Sequence, residues 1–225
     1  MGSYVYAKCI DDGTDEGGPV ATQLIGTNRA VCDFDQTHTG SVSFNYALPF
    51  GAGKRFLNAR SFVGQVFGGW ELAAVTTLKS GLPFTPTING DRANTGVGGQ
   101  RPLLVGQPFV PGNVSCWFFT SSNSACKSLF PNATDAFAVP AQFSYGNSGR
   151  NILRGDNLLQ MDFSLLKDFV LTEARRLQFR AEFFNVTDHP VFANPGTLIN
   201  AGSGGQVSST LNSNRIIELA LKFHF

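Results

Sequence analysis

Residues 159–185 read LQMDFSLLKDFVLTEARRLQFRAEFFN, and this stretch decides the fold. Leu159, Met161, Phe163 and Leu165 alternate with Gln160, Asp162 and Ser164, with Leu166 as an exception. Leu177, Phe179, Ala181 and Phe183 alternate with Arg176, Gln178, Arg180 and Glu182. Successive side chains of a strand point to opposite faces, so the pattern predicts two strands, each half apolar, joined by a short turn at 170–174. The same period appears in 38–48, where Val42, Phe44, Tyr46 and Leu48 alternate with Ser41, Ser43, Asn45 and Ala47. It appears from Trp70 onward, through Leu72, Ala74, Thr76 and Leu78, and runs on past Gly81 and Pro83 to Leu82 and Phe84. It closes the chain at 214–225, where Ile217, Leu219, Leu221, Phe223 and Phe225 face away from Glu218, Ala220, Lys222 and His224. An opening strand at 3–10 alternates less clearly. The expectation is six antiparallel strands.

The connections alternate in length: long at 11–37, short at 49–66, long at 89–157, short at 170–174, long at 186–213. A long structureless stretch counts against a compact water-soluble domain. An outer-membrane barrel, by contrast, puts short turns at one end and long extracellular loops at the other. The expected strands exceed the usual length of about 5–6 residues and reach the roughly 9–11 that a tilted transmembrane strand needs. Glu71, Asp162, Arg180, Glu182, Glu218 and Lys222 fall on the polar faces and would form lumenal charges. Phe223 and Phe225 would sit in an aromatic girdle with Tyr46, Trp70 and Phe169. The fold class read from this is all-β: an antiparallel transmembrane β-barrel, represented by about six strands with long extracellular loops.

Composition fits a chain with a large dry core or a face turned to something other than water. Of 225 residues, 42% are hydrophobic and 15% charged, and 21 are Phe. Lys plus Arg total 17 against 16 for Asp plus Glu, with no basic block, so a nucleic-acid partner is not expected. Intrinsic disorder is not expected from the same numbers. No run of 18 apolar residues exists, so no transmembrane helix is expected. The start, MGSYVYAKCIDDG, reads like the middle of a strand, which suggests a piece of a longer protein.

Candidate chemistry is thin. The four cysteines form no C-x-x-C, and His38, His189 and His224 are far apart, so no metal is expected. Two disulfides are possible, as are four unpaired thiols. Cys116 and Cys126, ten apart in a loop, are the first candidates; Cys9 and Cys32 could tie the strands flanking the first loop. GAGK at 51–54 lacks phosphate-loop spacing and reads as a turn. Asp11, Asp12, Asp15 and Glu16 lack calcium-loop spacing. Asp33, Asp35 and His38 have no nucleophile beside them and read as a strand-entry turn. No set of nucleophile, base and orienter can be assembled, so an enzyme and a cofactor are not expected.

Several segments together carry a resemblance: YVYAKCIDDG (4–13), CDFDQTH (32–38), YALPFGAGKRF (46–56), GGWELAAVTTLKSGLPFT (68–85), GNSGRNILRGDNLLQMDFSLLKDF (146–169), RLQFRAEFFNVTDHPVFANP (176–195) and NRIIELALKFHF (214–225). Their order and spacing resemble TonB-dependent outer-membrane receptors of the Oar-like type. The resemblance implies that 1–225 is the C-terminal part of a plugged 22-stranded barrel, with the plug and an N-terminal regulatory domain lying outside it. It implies localisation in the bacterial cell outer membrane. It implies active uptake of a substrate, with outer-membrane lipid, the remaining strands and plug, the TonB system and the barrel-assembly machinery as partners. It also implies that the last strand, Ile217 to Phe225, is an assembly signal. Cys9, Cys32 and Asp188 depart from the family's usual residues.

Two other functions compete with transport. One is a non-transporting adhesin or surface protein of the same barrel type; the other is a soluble carbohydrate-binding β-sandwich. Whichever holds, six strands are fewer than the about 8 of the smallest closed barrels, so this chain by itself should leave two open sheet edges.

Overall fold

A computed structural model of the chain describes residues 1–13, 28–51, 53–57, 62–96, 98–172 and 175–225. In chain order the strands are β1 (Gly2–Tyr6), β2 (Ile10–Asp11), β3 (Ala30–Val31), β4 (His38–Ala47), β5 (Trp70–Lys79), β6 (Pro83–Phe84), β7 (Leu103–Leu104), β8 (Phe137–Ala138), β9 (Leu153–Arg154), β10 (Leu158–Val170), β11 (Arg176–Phe184) and β12 (Ile216–His224). The described residues also form two short helices, α1 (Phe62–Phe67) and α2 (Ser124–Leu129).

The long strands form one six-stranded antiparallel sheet in the order β1-β4-β5-β10-β11-β12. Its register follows the alternation. Phe163 lies opposite Ala74 and Phe183, and Leu165 opposite Leu72 and Ala181. Phe44 faces Ala74, and Phe183 faces Ile217, so one apolar face crosses β4 to β12 without a break. A one-residue slip in any strand would turn its apolar set to the other face, and none has occurred. Two boundaries differ from expectation. β1 stops at Tyr6. β5 stops at Lys79, because the Gly81 N–H is taken by the Asn157 side chain and Pro83 has no N–H to give to a ladder.

The sheet is not a barrel, and this corrects the fold class. β1 and β12 stand at opposite ends of the strand order and do not pair with each other. Closure would require that pairing, and six strands are too few to make the turn. Both edge strands are exposed along nearly their whole length. Leu219 and Leu221 are 68% and 70% exposed.

All long connections leave one end of the sheet, at Tyr6, His38, Lys79, Leu158, Phe184 and Ile216. What the alternation leaves as loop is a folded body, here called the cap. Its core joins Phe84 and Ile88 to Trp117, Phe118, Phe137 and Leu153, and these to Ile199 and Val207. A second cluster packs Phe119, Phe130 and Ala133 around the Cys116–Cys126 disulfide. Gly205 is required at this junction: its φ is +73°, and a Cβ there would run into the Phe118 carbonyl. Three two-residue ladders, β2–β3, β6–β9 and β7–β8, are all the regular sheet the cap contains among the described residues.

Candidate functional site

The cap meets the sheet at a polar hub. Asp35, whose side chain is 1% exposed, accepts from the Cys9 N–H (2.9 Å), Thr37 Oγ1 (2.8 Å) and Arg154 Nη2 (2.5 Å). Burial alone would raise this carboxyl, but the hydrogen bonds from Arg154, Cys9 and Thr37 outweigh it and hold the group below its usual value. Arg150 pairs with Asp11 and Asp33 and donates through Nε to the Asn28 carbonyl at 3.0 Å. Burial lowers its guanidinium. Asn151 donates to the Val31 carbonyl and to Asp33. The Cys9–Cys32 disulfide closes the same assembly. Thus Arg150, Asn151 and Arg154 from one connection hold the ends of another. These charges are spent on each other, so the hub is a staple rather than a reaction centre.

Among the described residues, clefts open on the cap. One, of about 550 Å³, lies beside the hub between Tyr6, Lys8, Thr37, Val110 and Arg154. A second, of about 540 Å³, lies over the Cys116–Cys126 cluster, between Phe109, Leu129, Phe130, Pro131, Asn132 and Thr134. The third, of about 330 Å³, is polar and lies between Asn185, Asp188, Asn212 and Arg215. All fall at or near the usual size of small-ligand sites.

The residues singled out in the sequence are distributed as follows. Both cysteine pairs are bonded, Cys9 to Cys32 and Cys116 to Cys126, and no described cysteine is free. Trp70, Phe169 and Phe223 gather at the end of the sheet away from the cap, with Tyr46 opposite Leu72. Phe223 and Phe225 stack at 6.1 Å. Ile217, Leu219, Leu221, Phe223 and Phe225 are all exposed. Glu71, Asp162, Arg180, Glu182, Glu218 and Lys222 share one face, where Arg180 pairs with Glu182 at 2.7 Å and Glu182 lies opposite Glu218. Asp15 and Glu16 lie outside the described residues.

Sequence reasoning missed Lys167. It stands on the apolar face, fully buried, donating to the carbonyls of Gln65 (2.6 Å) and Gly68. Its ammonium lies 5.3 Å from the Trp70 ring and 5.0 Å from the Phe169 ring. The signal was a cation at an apolar position of an otherwise regular alternation. The hub was also missed, although GRNILRGD places two arginines within reach of the acids of the first connection.

The transport machinery expected around this chain loses its basis. An open sheet encloses no lumen for the charged face and no bore for a plug. Lipid contact was expected for a closed wall, because unpaired strand edges cannot be satisfied in hydrocarbon. The outer-membrane lipid, remaining strands and plug, TonB system and barrel-assembly machinery are therefore corrected as partners, and active uptake as function. Outer-membrane localisation, implied by the same resemblance, is corrected with them. No group of three or more His, Cys, Asp or Glu among the described residues could hold a metal ion, and no helix is long and apolar enough to cross a membrane.

No match was found among curated proteins or among solved structures. A family model described as an outer membrane beta barrel domain matches residues 1–218. That description is generic and singles out no TonB-dependent receptor of the Oar-like type, so the finer resemblance is corrected to the coarser class. It describes a structural domain and names no catalytic activity. With nearly all of its length matched, the chain belongs to the outer membrane beta barrel domain family.

Proposed function

We propose that the chain is a non-transporting binding protein of the adhesin type, in which the sheet is the base and the cap is the binding surface. The observation that carries this reading is where order has been invested. The cap holds the large buried aromatic core, both disulfides and the salt-bridged hub, whereas the sheet closes around nothing. A rigid body on regular strands suits capture by preformed clefts, since little ordering entropy remains to be lost on binding. Carbohydrate binding, the second reading, is favoured by the uncharged lining of the Phe109 cleft.

The test is adhesion. Beads coated with the chain should be retained on glycan-coated surfaces, and reduction of the disulfides should abolish retention. Paired changes on the sheet, Leu219→Lys with Leu221→Lys, should leave it intact. Retention that survives reduction but is lost in the sheet variant would overturn the proposal.

A further inference from the structure

The Phe109 cleft is the better defined of the two large clefts, because its floor is pinned. Asn123 caps α2, its side chain accepting from the Ala125 and Cys126 N–H groups, and donates to the carbonyls of Ser115 and Gly204. The Cys116–Cys126 disulfide then fixes α2 to the preceding turn. Phe130 follows α2 directly, its N–H bonded to the Cys126 carbonyl at 2.8 Å, and packs on the disulfide cluster. Phe109 is held from the other side, its carbonyl accepting from the Phe119 N–H at 2.9 Å. The two rings stand edge to face, 81° apart with centroids at 5.2 Å. Such a pair is held in place by its own quadrupoles and leaves ring surface to a ligand. Phe109 itself is 43% exposed.

The rest of the lining selects the ligand's chemistry. Gln107, Asn132 and Thr134 bring amide and hydroxyl groups to the cleft, and none of the three side chains is hydrogen-bonded to another described residue. Among the described residues, no charged side chain lines it. An ionic ligand would lose hydration without gaining a counter-charge. A wholly apolar ligand would cover three polar side chains and leave them unpaired. A neutral saccharide meets both halves of the lining: its C–H face packs on an aromatic ring while its hydroxyls exchange bonds with amides and a hydroxyl. We propose that the cleft between Phe109 and Phe130 binds a neutral oligosaccharide, a site that deepens the adhesin reading and rests on it.

The experiment is saturation-transfer NMR and calorimetry on the full chain with maltotriose, cellotriose and chitotriose as probes. At least one should bind, with transfer strongest to the sugar's C–H face. Phe109→Ala should weaken it about tenfold or more, and Thr134→Glu should weaken it too. Retained disulfides and an unchanged circular dichroism spectrum must accompany both variants; if Phe109→Ala misfolds, Thr134→Glu decides. Binding unchanged in a folded variant, or no sugar bound while a hydrophobic dye enters the cleft, overturns the site. Bead adhesion separates this from the reading beneath it. Adhesion without sugar binding sinks the site alone, whereas Phe109-dependent sugar binding without adhesion sustains the site and sinks the adhesin.

Discussion

Phe118 in the cap and Leu221 in the sheet are both large apolar residues, yet Phe118 is 0% exposed and Leu221 70%. The cap gathers its aromatics from connections far apart in sequence into one core. The sheet sets out its apolar residues in strict alternation, and toward its β12 edge nothing covers them. Regular hydrogen bonding and burial are therefore separate achievements in this chain. The sheet has the ladder without the core; the cap has the core with hardly any ladder. A sheet is ordinarily stabilised by packing one face against something, so most of the chain's own hydrophobic stabilisation lies in the cap.

The sharpest break of that contrast is a pair of truncations. Phe118→Ala should cost about 3–5 kcal/mol, the usual range for a fully buried ring. Leu221→Ala should change stability by no more than about 0.5 kcal/mol. Both are read from chemical denaturation. Equal costs would erase the distinction. Next in size is the Cys116–Cys126 bond, which closes a short loop and should contribute about 2–3 kcal/mol in the chain-entropy model. Replacing both cysteines by Ser and following Trp117, which lies in the cap core, measures it.

A third prediction sharpens the contrast through acid. The folded-state value of Asp35 lies below 3.8, so its ionised form contributes stability that is complete above that value. The contribution is lost as pH falls through the lowered folded value. The cap's melting temperature should therefore drop below about pH 3.8, and Asp35→Asn should flatten the drop. Asp91 is lowered too and titrates with the same sign, so some acid dependence should survive in the variant. The smallest effect on stability is expected from Leu219→Lys with Leu221→Lys. This pair should leave the cap's melting unchanged while lowering self-association in light scattering, because charges blunt an exposed edge.

The sheet was legible because its signal is local. Five of its six strands and their faces could be read from alternation alone, and so could the end from which all the long connections leave. The cap was not, because Phe84, Trp117, Phe137 and Ile199 meet only through tertiary packing and follow no period. The two open edges followed from the strand count, but the barrel class did not hold, for a related reason. Alternation shows that a face is apolar, but not whether the sheet carrying it meets itself. Lys167 shows the opposite failure: its apolar register was visible, but the carbonyls of Gln65 and Gly68 that receive it lie about a hundred residues earlier.

Segment-resolved hydrogen exchange on the full chain tests the central claim most directly, since it ranks local stability without assuming a single unfolding step. Amides around Trp117, Phe118 and Phe137 should be the slowest, exchanging only through opening of the whole cap. Those of β1 and β12 should exchange first. If β12 exchanged as slowly as the Trp117–Phe119 segment, its apolar face would be covered, and the cap would not be the body that holds this protein together.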